Sequence, residues 1–300
     1  MKKNDEAREW FMEGCRCDLL EPKSDKAIEA YKKSIILDPR FTDAYVNLGF
    51  IYLQREDYDW ALICLERVTK LEPNNPEAYN NLGYVYERMG RLGRARQMYE
   101  RALMLNTGNT EAMLNIGHVF ELEGDYHGAV SQYRKAIEAD PDAVTPRFFL
   151  ALLYDRHDMF DEALKEYEGV LERDPFHVKV LFNLGTLHVQ LGDYGKGIGC
   201  FKKVLASDEN NAEAWNNLGS VYEIMGQYKD AIAAYQKSLA LNPYQEEANL
   251  NLAQMEYEDY LSSPDSGKKE EIVRRLYFAL SISPQKTRVK DLLNELTKNS

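Results

Sequence analysis

The sequence predicts an all-α solenoid of about eight helix-turn-helix repeats closed by a C-terminal capping helix, and three observations carry that prediction. An aliphatic residue followed by a small one returns every thirty-four residues, as Leu48-Gly49, Leu82-Gly83, Ile116-Gly117, Leu150-Ala151, Leu184-Gly185, Leu218-Gly219 and Leu252-Ala253. Within each period, apolar residues fall twice at helical spacing. Alternating strand patterns are absent from the sequence.

Repeats therefore begin at Arg8, Thr42, Pro76, Thr110, Val144, Val178 and Ala212, with an eighth at Glu246. Counting from each start, apolar or small residues at positions 4, 7, 8 and 11 predict a first helix, and those at 20, 24, 27 and 28 a second. Between them Gly90, Gly124, Gly192 and Gly226 fall where a left-handed helix cap is wanted. Pro39, Pro73, Pro141, Pro175 and Pro243 end the second helices, because proline cannot continue a helix. Small residues at position 8 and at position 20 (Ala61, Ala95, Ala129, Ala163, Gly197, Ala231) let the paired helices approach; extrapolated backwards, the two columns reach Cys15 and Ala27. Rings at positions 4, 11, 17 and 24 fill the space between hairpins, which accounts for most of the twenty tyrosines. Tyrosine suits a shallow core because its ring is buried while its hydroxyl reaches water or a carbonyl at the rim.

The ends depart from the pattern. Residues 1–7 read as an N-terminal extension, and LLEPKSD occupies the turn of the first repeat. In the eighth, Ala279 and Pro284 keep their mutual spacing but arrive late, which predicts a loop insertion of about seven residues near 261–268. Residues 287–300 then form a capping helix and tail, with Val289, Leu292, Leu293 and Leu296 on one face and Thr287 as N-cap. Gly195, Gly197 and Gly199 predict a soft second helix in the sixth repeat.

Hydrophobic residues make up 44% of the chain and charged residues 29%, enough to build a core. The net charge of −12 disfavours nucleic acid and anionic membrane as partners. Acidic residues from Asp5 to Glu13 interrupt any export signal and no apolar run is long enough to span a bilayer, so a cytoplasmic protein is expected. Cys15, Cys17, Cys64 and Cys200 are too scattered for a disulfide framework; Cys15, Cys64 and Cys200 are expected to act as buried small hydrophobes. Neither a metal site nor a cofactor site is predicted. His118, His127, His157, His177 and His188 form no catalytic motif and are expected to be exposed or partly packed, so no enzyme is predicted.

AYNNLGYVYERMGRLGRARQMYERAL (78–103) and AWNNLGSVYEIMGQYKDAIAAYQKSLALNP (214–243) closely resemble the tetratricopeptide repeat family, over about 8–286. The resemblance implies one continuous right-handed superhelical domain whose first helices line a concave groove, and a non-enzymatic role in protein–protein interaction.

Positions 2, 6, 9 and 13 of each first helix point away from the predicted core. Position 6 holds Asn47, Asn81, Asn115, Asn183, Asn217 and Asn251. Asparagine is a poor residue for a helix interior, and an amide column offers a donor and an acceptor to each successive peptide group of an extended chain. The column resembles the asparagine ladder in the solenoid of O-linked N-acetylglucosamine transferases, although no glycosyltransferase domain follows. Ligand ladder and shared framework both remain open. In the fifth repeat the column is broken by Phe149, beside Phe148 and with Leu152 one turn on. With Leu114, His118 and Phe182 these predict an apolar anchor patch; the alternative is that one phenylalanine turns inward to replace the ring missing at Arg147. Asp43, Glu77, Glu111, Glu213 and Glu247 at position 2, opposed only by Lys179, predict an acidic groove and a partner segment that is basic or neutral. The lysine pattern of the family's carboxylate clamp is missing. Two other roles fit the same pattern: a structural subunit assembling through its ends or convex face, and a regulatory module of a separately encoded enzyme.

Overall fold

Each thirty-four-residue period folds as two helices joined by a short turn, because the apolar stripe of one helix alone has no other cover. The computed structural model describes residues 2–263, 265–282, 284–285 and 287–298, and among them all regular structure is helical. The chain is an all-α repeat solenoid, and its contacts divide it into two units, Met1–Leu153 and Tyr154–Ser300. The first contains α1 (Lys2–Leu20), α2 (Asp25–Leu37), α3 (Thr42–Gln54), α4 (Tyr58–Leu71), α5 (Pro76–Arg88), α6 (Leu92–Leu105), α7 (Thr110–Glu123), α8 (Tyr126–Ala139) and most of α9 (Val144–Arg156). The second contains α10 (Phe160–Leu171), α11 (Val178–Gln190), α12 (Tyr194–Ser207), α13 (Ala212–Ile224), α14 (Tyr228–Leu241), α15 (Glu246–Ser262), α16 (Ser266–Ile282) and α17 (Thr287–Lys298).

The core of the first helices differs from the stripe expected. Position 3 is fully buried, as Ala44, Ala78, Ala112, Val180, Ala214 and Ala248, and so is position 10, as Ile51, Val85, Val119, Leu187 and Val221. Many residues at the expected positions 4 and 11, such as Tyr45, Tyr79, Tyr86 and Tyr222, are only half-buried. The reason is that a first helix such as α5 packs against its own partner helix α6 and also against α4, the second helix of the preceding repeat, so a second apolar seam is needed.

Gly90, Gly124, Gly192 and Gly226 adopt φ of 70°, 77°, 82° and 73°, the left-handed cap that ends a first helix. Lys23, Glu56 and Asp158 hold the same conformation without glycine. The first turn is one residue longer than the others, so Gly14, rather than Cys15, occupies the close-approach position: a Cβ there would lie 2.6 Å from the Tyr31 ring. Residues 2–7 continue α1, with Ala7 buried, instead of forming a separate extension.

The extra residues of the eighth repeat lie in its helices and not in a loop. α15 has 17 residues against 13 in α13, and α16 has 17 against 14 in α14, which together absorb the seven; three residues still link them. Pro264, within the expected insertion, lies outside the described residues. Val289, Leu292, Leu293 and Leu296 of α17 cover Ala253, Tyr257, Ile272 and Leu276. Thr287 is the first residue of that helix and therefore not its N-cap; the residue before it lies outside the described residues. α12 runs unbroken through its glycines.

Of the cysteines only Cys64 is buried, and burial pushes its thiol up to about 11; Cys15 and Cys200 are half-buried. His188 is buried, at 5% exposure, in a position held elsewhere by tyrosine, and burial holds its pKa below the ordinary value. His177 caps α11, its Nδ1 accepting from the Val180 amide at 3.3 Å.

Candidate functional site

The groove register is organised from the ring at position 24. Gly83, Gly117 and Gly219 lie so close to Tyr99, Tyr133 and Tyr235 that a Cβ would stand 2.6, 2.5 and 2.8 Å from the ring. These rings are fully buried, so a hydroxyl at their far edge requires a partner. It finds one in an acid at position 12 of the same repeat. Tyr99 donates to Glu87 at 2.9 Å, Tyr167 to Asp155 at 3.1 Å and Tyr235 to Glu223 at 2.8 Å; Tyr133 donates to Glu121. Burial, then the neighbouring carboxylate, pushes the Tyr99, Tyr167 and Tyr235 hydroxyls far above the ordinary range.

The groove asparagines enter this relay from the following repeat. Asn47 donates to the Tyr31 hydroxyl at 3.2 Å and Asn251 to that of Tyr235 at 3.1 Å. Where position 24 is Leu65 or Phe201, position 12 is Leu53 or Val189, so the whole relay is replaced by apolar groups. Asn81 and Asn217 follow those repeats and have no tyrosine hydroxyl to hold. Asn115 donates instead to Asn80 Oδ1 at 3.0 Å, and Asn80 donates to Glu111 at 2.8 Å. All six asparagines are half-buried.

Phe149 stands where an asparagine would meet Tyr133 and stacks on that ring at 6.0 Å, with Phe148 5.9 Å away. Phe148, Phe149 and Leu152 are half-buried on the first unit. His118, on the same unit, is 48% exposed at its side chain and bonds the nearly buried Glu87 at 3.1 Å. Phe182 belongs to the second unit, where its ring meets Phe201 edge-on at 5.9 Å. At position 2, Glu77, Glu111, Glu213 and Glu247 are exposed, as is Lys179.

The carboxylates at position 12 were not among the residues expected to matter. Their signal lies within the chain: acid and tyrosine occur together in four repeats and disappear together in two.

Helix pairs stacked in register, each presenting polar side chains that the core holds in place, define an all-α scaffold for protein–protein interaction. Tetratricopeptide repeat models match residues 76–109 and 212–245, 30–63, 122–177 and 178–211, and a TPR repeat model matches 51–90. The chain belongs to the tetratricopeptide repeat family. Proteins of this family are generally non-enzymatic interaction scaffolds. A comparison with curated proteins gives no match. Among solved structures the chain is similar to the APC/C hetero-tetramer Cut9–Hcn1, at 20% identity and a TM-score of 0.57, covering 94% of this chain and 54% of that one. The chain thus spans about half the length of that relative. It is also similar to PilF of Pseudomonas aeruginosa (19%, TM-score 0.59, 71% of this chain and 97% of that one). A third likeness is the C-terminal part of a TPR repeat-containing protein from Cytophaga hutchinsonii (16%, TM-score 0.67, 83% and 99%). At these identities the likeness is one of fold.

Proposed function

We propose that the chain is a non-enzymatic adaptor that holds an extended, basic or neutral segment of a partner protein along the groove face of its first helices. The observation that carries this reading is the column of half-buried asparagines that recurs at a single register in six of the eight repeats. A carboxamide has two N–H donors and an acceptor oxygen with two lone pairs. Holding a tyrosine hydroxyl engages Nδ2 of Asn47 and Asn251 and fixes the amide plane, so their carboxamide oxygens are oriented before a ligand arrives. Framework and ladder are thereby compatible roles of the same side chain. The exposed acids at position 2 set the charge preference, and Phe148, Phe149 and Leu152 offer an apolar anchor on the first unit.

The test uses an immobilised library of random extended dodecapeptides. Asn81→Ala with Asn217→Ala removes amides that hold no tyrosine, so peptide capture should fall at least about tenfold, at about 1 kcal/mol per lost hydrogen bond, while the melting temperature falls only by the small amount that the 3.5 Å Asn216–Asn217 contact supplies. Unchanged capture after a further Asn115→Ala and Asn183→Ala would remove the asparagine column from the binding role.

A further inference from the structure

We propose that the second unit carries a subsite for an arginine side chain of the bound segment. It is a cavity of ≈ 410 Å³ lined by Phe182, Glu213, Asn216, Asn217 and Glu247 among others. The proposal deepens the groove reading above and rests on it. Three carboxylates, of Glu213, Glu246 and Glu247, line the cavity, and no lysine or arginine does. Acidity alone would select any cation; two further features narrow the choice.

The first is Asn216. The residue is 4% exposed, and its Oδ1 is buried with no hydrogen-bond partner. The chain provides its own comparison at the same register of the third repeat, where the Oδ1 of Asn80 accepts from Asn115 at 3.0 Å and its Nδ2 donates to Glu111 at 2.8 Å. The residue that stands to Asn216 as Asn115 stands to Asn80 is Asn251 of the eighth repeat, whose amide donates to the Tyr235 hydroxyl, so the Asn216 acceptor is left over. Only a 3.5 Å contact from Nδ2 to Asn217 Oδ1 restrains the Asn216 carboxamide. The broad two-fold χ2 torsion of asparagine allows Oδ1 to rotate toward a donor placed in the cavity. A buried acceptor without a donor calls for one from the ligand.

The second feature is Phe182. A guanidinium is planar, stacks on aromatic faces and carries five N–H donors in a fixed fork, which suits acceptors spread over two carboxylates and an amide around a ring. An ammonium is a compact point charge that gains less from this arrangement.

Titration of the full chain with Nα-acetyl-L-arginine amide, followed through the side-chain amide signals of Asn216 and Asn217 in ¹H–¹⁵N spectra, tests the subsite. Saturable shifts are expected, at least about tenfold weaker with the citrulline analogue, which keeps the shape and loses the charge. Asn216→Leu, checked for folding by circular dichroism, should weaken arginine binding about fivefold or more. The exposed pair Glu213→Gln with Glu247→Gln should do the same without touching the core. Equal shifts with citrulline, or full arginine binding in both variants, overturn the proposal. Free arginine binding tenfold more tightly than the blocked amide also overturns it, because the site would then serve a free amino acid. If the subsite fails while peptide capture still depends on Asn81 and Asn217, the groove reading stands. If arginine binds while capture ignores those asparagines, the groove reading falls alone.

Discussion

Replacing Tyr235 by phenylalanine removes one oxygen from a fully buried ring without changing the packing around it. That oxygen donates to Glu223 at 2.8 Å and accepts from Asn251 at 3.1 Å. A hydrogen bond to a charged group contributes about 1.5–3 kcal/mol and a neutral one about 0.5–1.5 kcal/mol. Glu223 and Asn251 are half-buried, so water recovers part of both, and a net loss of about 2 kcal/mol is expected. The sixth repeat contains the apolar version of the same relay, Val189 with Phe201. Adding Glu223→Val to Tyr235→Phe should therefore restore about 1 kcal/mol, because removing both partners leaves no orphaned carboxylate. Urea unfolding followed by circular dichroism measures the midpoint shift, and hydrogen exchange in α13 and α14 localises it. Each repeat contacts mainly its neighbours, so partial unfolding must be distinguished from a global change. Stability of Tyr235→Phe within about 0.3 kcal/mol of the parent would refute the relay, as would a double variant as unstable as the sum of the two single ones.

Alkaline pH tests the same hydroxyls together. Burial and nearby carboxylates raise the folded-state pKa of Tyr99, Tyr167 and Tyr235 above the ordinary 10.0, so the folded state holds these protons more tightly than the unfolded chain. Their contribution is complete below pH 10 and is lost as the pH rises above it. Phenolate absorbance at 295 nm should accordingly show a late step that coincides with loss of helical signal; full titration with the helices intact would contradict this. Glycine substitutions should have opposite signs. In Gly117→Ala the new Cβ meets the Tyr133 ring at 2.5 Å; overpacking costs about 1–3 kcal/mol against a helix gain of about 0.5–1 kcal/mol, so thermal melting should show a net loss. At Gly199, inside α12, nothing lies within 4 Å of the methyl that alanine would add, and Gly199→Ala should raise stability by about 0.5–1 kcal/mol. A melting temperature that falls in this variant would point to a role for the glycine that packing does not explain.

Much of the architecture is legible in the sequence because helical repeats are specified locally. Small residues at fixed spacing, glycine caps and terminating prolines each act within a turn or two, and first helices begin at Thr42, Pro76, Thr110, Val144, Val178, Ala212 and Glu246, one per period. Sequence and structure part where distance along the chain is a poor guide. One extra residue in the first turn moves the close approach from Cys15 to Gly14. The seven additional residues of the eighth repeat lengthen two helices, since added turns that extend a paired apolar seam are better covered than a loop. His188 reads from the sequence as exposed or partly packed, but its position in the helix is a tyrosine position, and packing buries it.

The face offered to a partner shows the same division. A period and a helix angle are enough to mark the chain as a tetratricopeptide solenoid and to say which side chains share the groove register. How those side chains are used emerges only from the folded packing: Asn47 and Asn251 bond tyrosine hydroxyls, Asn115 bonds Asn80, and Asn216 keeps an acceptor without a donor. Hydrogen-bond pairing depends on distances of a few tenths of an ångström between residues some thirty positions apart, and no local pattern fixes those.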